Sequence, residues 1–227
     1  MLSPARRLLK RFHPEAIPWP GCLVYDAVSG TEVFRLQYEL LAKDLARHRT
    51  TGSVLDVGTG PGRLLLALHR EAPALQLTGV DSSSPMVDAA RRHVADVGLA
   101  SVIDLKEGNA SDLPFPDASF DMVVSTGSIH HWKEPTRALY EAHRVLKEGG
   151  DALMYDLVSD TPPSVLKDAG RRFGRLRVLL LWLHGFEEPF YTRQDFSLLA
   201  RPTPFCEGET RFVGMFFCLA MKKGKKD

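Results

Sequence analysis

Between residues 53 and 157 the spacing of apolar positions switches repeatedly from short continuous runs to a helical period. The runs at 53–57, 75–80, 102–106, 120–125 and 152–157 predict strands. The run at 120–125 is nearly all apolar, as expected of a strand buried on both faces. Helical patterns fill the gaps, the first over 62–71. In the second, Ser84 stands as N-cap and Pro85 as first helical residue, with Met86, Ala90, Val94 and Val97 on one face and a stop near Gly98. In the third, Pro135 opens a helix carrying Ala138, Leu139, Ala142 and Leu146, and Gly149 and Gly150 supply the stop. Pro114 and Pro116 keep 112–117 a loop. Alternation of this kind predicts βαβ units and a parallel sheet.

The flanks read differently. Residues 1–48 form an N-terminal helical cap and 49–160 the core. Residues 161–201 are a helical insertion over the sheet's carboxyl edge, opening after Pro162 and Pro163 and interrupted at Gly170 and Gly174. Thr192 starts a short helix. In 202–227, runs at 206–213 and 215–222 predict a closing antiparallel pair around Gly214, followed by a basic tail.

Candidate chemistry concentrates after the first strand, in Asp56, Val57, Gly58, Thr59, Gly60, Pro61, Gly62 and Arg63. A glycine-rich turn between a strand and a helix lets the backbone approach a ligand closely. In the dinucleotide fingerprint the third glycine would fall at 63, which is Arg63, whereas glycine occurs one step earlier at Gly62. Asp81 closes the second strand, a little over twenty residues beyond Gly58, where an acid accepts ribose hydroxyls. Gly108, Asn109 and Ala110 follow the third strand and 125–131 the fourth, so four loops converge on one edge.

Composition narrows the class. The 227 residues carry 29 basic and 28 acidic side chains, which gives no electrostatic case for a nucleic-acid partner. Basic residues cluster at Arg6, Arg7, Lys10 and Arg11, at Arg171, Arg172, Arg175 and Arg177, and in the tail at 222–226. The second cluster adjoins the leucine-rich run 178–183, which raises contact with a membrane surface or lipid-like acceptor as one possibility beside ordinary solvated surface. Cys22, Cys206 and Cys218 are odd in number and widely spaced, as expected of reduced thiols in a cytoplasmic protein. No apolar run reaches the roughly 18 residues of a membrane span, and the basic N-terminus lacks a signal-peptide apolar region.

The turn at 54–62, the segment 79–86, the loop 113–121 and the stretch 139–150 together resemble class I S-adenosylmethionine-dependent methyltransferases. They are most similar to the ubiquinone and menaquinone biosynthesis C-methyltransferases and related small-molecule enzymes. The resemblance spans about 53–157. It implies an α/β fold, a Rossmann-like three-layer sandwich whose mostly parallel seven-stranded sheet has one antiparallel strand, plus helical cap segments. It further implies transfer of a methyl group from S-adenosylmethionine to a small molecule, with an apolar or lipid-like acceptor among the candidates, and S-adenosylhomocysteine as product. The alternative is a non-catalytic regulatory protein that binds the same cofactor, and an NAD-dependent oxidoreductase is the further rival.

By the same resemblance Asp56, Gly58, Thr59, Gly60 and Gly62 wrap the methionine moiety, Asp81 holds the ribose, and Ser82 and Met86 flank the adenine. Gly108, Asn109 and Ala110 stand where relatives have Gly-Asp-Ala, so Asn109 accepts from the adenine amino group through an uncharged oxygen. Tyr25 occupies the place of an aromatic that closes over the cofactor, with ordinary helix packing as the other reading. The loop from Ser125 and Thr126 to Trp132 faces the methyl group. There His130 is either a general base or a packing residue, while packing is expected of His131 and Trp132. The paired histidines lack zinc spacing, so no metal is expected. Trp19, Phe173, Trp182, Phe186, Phe190 and Tyr191 either fill the core or line an apolar substrate pocket. The sequence leaves the acceptor atom and the oligomeric state open.

Overall fold

The computed structural model describes residues 21–174 and 190–224. Helices α1 (Gly21–Ser29) and α2 (Glu32–His48) lead into β1 (Gly52–Val57), α3 (Arg63–Glu71), β2 (Leu75–Asp81), α4 (Ser84–Asp96) and β3 (Ile103–Glu107). Then follow β4 (Phe120–Thr126), α5 (Pro135–Val145), β5 (Leu146–Asp156), α6 (Pro163–Phe173), α7 (Arg193–Ser197), β6 (Glu209–Val213) and β7 (Phe216–Lys222). The seven strands form one sheet in the order β3-β2-β1-β4-β5-β7-β6. All neighbours are parallel except β7, which runs antiparallel to β5 and to β6. Strand order reverses between β1 and β4, and a sheet of this kind opens a crevice at the carboxyl ends of such strands.

Three layers result because consecutive strand residues point to opposite faces. Val54, Met122, Val124 and Leu153 meet Leu41 and Leu45 of α2, Leu65 and Leu68 of α3, and Val87 and Ala90 of α4. Their chain neighbours Leu55, Val123 and Met154 meet Leu139 and Ala142 of α5 and Phe196 of α7 on the other side. A buried polar knot also ties α2 to the sheet. The Tyr155 hydroxyl donates to Asp44 Oδ2 at 2.7 Å, and Arg211 Nη2 reaches the same oxygen at 2.6 Å.

Several boundaries differ from the sequence expectation. Helix α5 ends at Val145 and β5 begins at once with Leu146, which pairs with Phe120. Gly149 and Gly150 therefore lie within a strand, where the register shifts between Phe120 and Met122; Gly149, at φ 73°, accommodates the irregularity. The cap of α4 is Ser83, and Ser84 is already helical. Strand β6 starts at Glu209 because Cys206, at φ 64°, still belongs to a turn. The described part of the 161–201 segment divides. Ala169 and Phe173 of α6 pack on Val33 of α2 and on Met215, whereas Tyr191 and Phe196 enter the main core. Phe173 and Phe190 are buried too. Trp19, Trp182, Phe186, the run 178–183, Arg175, Arg177, the N-terminal basic cluster and the end of the tail lie outside the described residues.

Candidate active site

The turn after β1 is built from left-handed backbone. Gly58, Gly60 and Gly62 have φ of 73°, 51° and 75°. At Gly58 a side chain is excluded twice, since the conformation is strained for an L-residue and a Cβ would collide with the Ser128 hydroxyl. The amides of Gly58 and Thr59 both donate to the Val80 carbonyl, at 2.8 and 3.0 Å, which bends the turn toward the end of β2. Gly62 is the N-cap of α3, tight against Ala90 of α4.

Two aspartates flank this turn. Asp81 faces the cleft; its Oδ2 accepts from the Gly60 amide at 2.8 Å and its Oδ1 from the Ser83 amide at 2.9 Å. Each carboxylate oxygen retains capacity for a second donor. Burial raises its pKa above the ordinary value, against those two bonds. Asp56 lies behind the turn, fully buried. Its Oδ2 accepts from the Thr59 hydroxyl at 2.7 Å, Oδ1 has no partner, and burial pushes its pKa up to about 7.

The cleft encloses about 590 Å³ including its open mouth. Gly58, Gly60, Asp81, Ser82 and Met86 form one wall, and Gly108, Asn109 and Ala110 its end. Tyr25 of α1 covers this side. Burial, followed by the charge of Asp81, raises its pKa to about 12, and its hydroxyl bonds to that of Tyr38. Asn109 Oδ1 already accepts from the Ser111 amide at 2.7 Å, which shapes the loop but uses part of its accepting capacity. Arg144 holds the neighbouring loop through the carbonyls of Leu113 and Phe115 and the carboxylate of Asp117.

The opposite wall is Gly127, Ser128, His131 and Trp132. His130 turns away from the cleft onto Asp156 at the end of β5; its Nδ1 lies 2.9 and 2.8 Å from the two carboxylate oxygens, and its amide donates to Oδ2 at 3.0 Å. Its ring meets those of Phe190 and His131 at tilted angles, with centroids 4.4 and 3.9 Å away. His131 and Trp132, expected to pack the loop, both border the cleft, and Trp132 also packs in the main core. Trp132 Nε1 donates to Ser128 Oγ at 3.0 Å, fixing the hydroxyl that sits over Gly58. Asp56, Thr59, Gly62, Ser125, Thr126 and His130 are not in the lining. Ser125 Oγ and Thr126 Oγ1, at the carboxyl end of β4, are buried without partners among the described residues.

Gly127 and Ser128 carried no individual signal in the sequence beyond their place after a strand. Asp156 could have been suspected from its place at the end of the fifth strand.

The electrostatics discriminate among ligands. Asp81 lines the cleft, Asp56 and Asp156 stand close enough to act on Tyr25, and the described lining contains no lysine or arginine. Such a field favours a cation and opposes a pyrophosphate. Among the described residues no group of three His, Cys, Asp or Glu side chains is arranged to hold a metal ion.

Residues 55–154 match the family described as Methyltransferase domain. A demethylmenaquinone methyltransferase of Thermus thermophilus is 36% identical over 115 residues, 51% of each chain. A chloroplastic 2-methyl-6-phytyl-1,4-hydroquinone methyltransferase of Oryza sativa subsp. japonica is 40% identical over 108 residues, 48% of this chain and 32% of that protein. The chain thus spans about a third to a half of the length of these relatives. A SAM-dependent methyltransferase of Aquifex aeolicus shares the fold, with a TM-score of 0.61 at 21% identity over 79% of this chain and 87% of that one. Residues 55–154 thus match a methyltransferase domain, and over this stretch the chain is similar to demethylmenaquinone and ubiquinone/menaquinone biosynthesis C-methyltransferases.

Proposed function

We propose that the protein transfers a methyl group from S-adenosylmethionine to a small, apolar, hydroquinone-like acceptor. The observation that carries this reading is the acidic cleft at the carboxyl ends of β1, β2 and β4, whose described lining holds no lysine or arginine. S-adenosylmethionine brings an ammonium and a sulfonium, and the residues present fit both charges. Asp81 lines the cleft with accepting capacity left on both oxygens, and the glycine turn leaves room that a Cβ would fill. Asp81 would accept the ribose hydroxyls, and Ser82, Met86 and Asn109 would border the adenine. Gly58 and Gly60 would face the methionine portion.

When bound, the cofactor supplies an electrophilic methyl group with a neutral thioether as leaving group, so the protein's task is chiefly orientation and exclusion of water. Ser128, His131 and Trp132 would position the acceptor, their loop braced by the Trp132–Ser128 bond and by His130 on Asp156. His130 acts in this reading through the loop it holds. The names of the quinone-pathway relatives support the acceptor class. Free Cys22, Cys206 and Cys218 support a reducing, cytoplasmic setting.

The test is incubation with S-adenosylmethionine and a panel of demethylated hydroquinones, phenols and amines, read by mass spectrometry, beside calorimetry with S-adenosylhomocysteine and NAD. Methylated hydroquinone together with S-adenosylhomocysteine binding is expected. NAD binding without S-adenosylhomocysteine binding would overturn the cofactor assignment, and methylation confined to amines would overturn the acceptor class.

A further inference from the structure

Helix α1 lies across the cofactor side of the cleft yet has little apolar anchorage among the described residues. Of its nine residues only Cys22 and Ser29 are buried, while Leu23, Val24 and Val28 face solvent. A helix held by so few buried contacts is expected to open at low free energy unless polar contacts restrain it. Those contacts converge on Asp26, the residue after Tyr25.

Arg63 Nη2 lies 2.7 Å from Asp26 Oδ1 and 3.2 Å from the Asp26 carbonyl, and Arg63 Nε donates to Ser29 Oγ at 3.1 Å. The guanidinium thereby meets a carboxylate and the last turn of α1, where a cation complements exposed carbonyls. Gly30 makes space for it, since a Cβ there would come within 3.0 Å of Nη2. From α4, His93 Nε2 lies 3.4 Å from the other oxygen, Asp26 Oδ2, while its Nδ1 is 2.9 Å from the carbonyl of Pro61 in the glycine turn. The Asp26, Arg63 and His93 side chains are all about three-quarters shielded, so these pairs are screened less than surface ones.

We infer that Arg63 and His93 are positioning residues that clamp α1, and with it Tyr25, over the cofactor cleft through the single carboxylate of Asp26. Arg63 is the residue that departs from the dinucleotide fingerprint, and its place directly after the turn links the cradle to its cover. Opening the clamp uncovers the cleft while Asp81 and the glycine turn stay in place, so the clamp sets how long ligand is retained. This role rests on the cofactor reading proposed above; the restraint on α1 does not.

The experiment is amide hydrogen exchange on the ligand-free full chain, wild type against Asp26→Asn, Arg63→Gln, His93→Asn and the double variant Asp26→Asn/Arg63→Gln, followed by S-adenosylhomocysteine dissociation rates. Exchange over residues 21–29 should rise about tenfold in Asp26→Asn and in Arg63→Gln, less in His93→Asn, and in the double variant by less than the product of the two single effects. Protection of β1 and β4 should be unchanged, which confirms an intact fold. The dissociation rate should rise in the same order. Unchanged exchange in both Asp26→Asn and Arg63→Gln overturns the clamp, as does loss of protection throughout the sheet in all variants. Raised exchange with unaltered dissociation overturns its role in retention. Wild type that fails to bind S-adenosylhomocysteine refutes the cofactor reading instead, and the exchange data still decide the clamp.

Discussion

At the amino edge of the sheet Asp121 accepts from the Ser53 amide and hydroxyl, each at 2.9 Å, and from Lys147 at 2.8 Å. Desolvation works against its charge, yet those bonds win and hold its pKa at about 2. At the carboxyl edge Asp56 and Asp81 have no cationic partner among the described residues, and burial drives both pKa values upward. The same residue type in the same sheet is thus satisfied where it closes the fold and left short of donors where a ligand enters. A protein gains stability from the first arrangement and retains the second because the ligand completes it.

The largest expected effect comes from filling the backbone space at the carboxyl edge. Gly58→Ala combines a strained φ with a collision at Ser128, and S-adenosylhomocysteine affinity measured by calorimetry should fall by more than about 100-fold.

Next in size is the effect of removing charge behind the turn. The pKa of Asp56 is raised from 3.8 to about 7, so its contribution to stability is fully present below 3.8 and lost as pH rises through about 7. Asp56→Asn should therefore stabilise the ligand-free protein at pH 8 by on the order of 2 kcal/mol in urea denaturation, with the gain vanishing toward pH 4. Equal gains at both pH values would break the contrast between the two edges.

The amino edge should respond weakly and with the opposite sign. The pKa of Asp121 is depressed, so the stability it contributes is present above 3.8 and lost as pH falls toward about 2. Solvent reaches part of this carboxylate, which limits the effect. Asp121→Asn should lower stability at pH 7 by about 1 kcal/mol, and the difference should close in acid.

The cofactor side of the cleft was largely legible because its chemistry is local. Glycines at 58, 60 and 62, an acid closing β1 and another closing β2 are read from consecutive residues, and the apolar runs of β1, β2 and β4 place them on one edge. What distinguishes His130 from His131 is not local. Asp156, 26 residues further on, takes the His130 side chain, while His131 borders the cleft. The start of β5 escaped notice for a related reason. Leu146 continues the apolar stripe of α5, and only its pairing with Phe120 makes it a strand residue. Arg63 was visible as a departure from one motif, but its contacts with α1 lie 34 and 37 residues away in the chain.

The central claim, that a carboxylate left short of donors marks the ligand edge, is tested most directly by titrating S-adenosylhomocysteine into wild type, Asp81→Asn and Asp121→Asn at pH 7.5. The account predicts binding to wild type, at least about 30-fold weaker binding to Asp81→Asn, and affinity within about twofold of wild type for Asp121→Asn. Equal binding to wild type and Asp81→Asn, or a larger loss in Asp121→Asn than in Asp81→Asn, would contradict it.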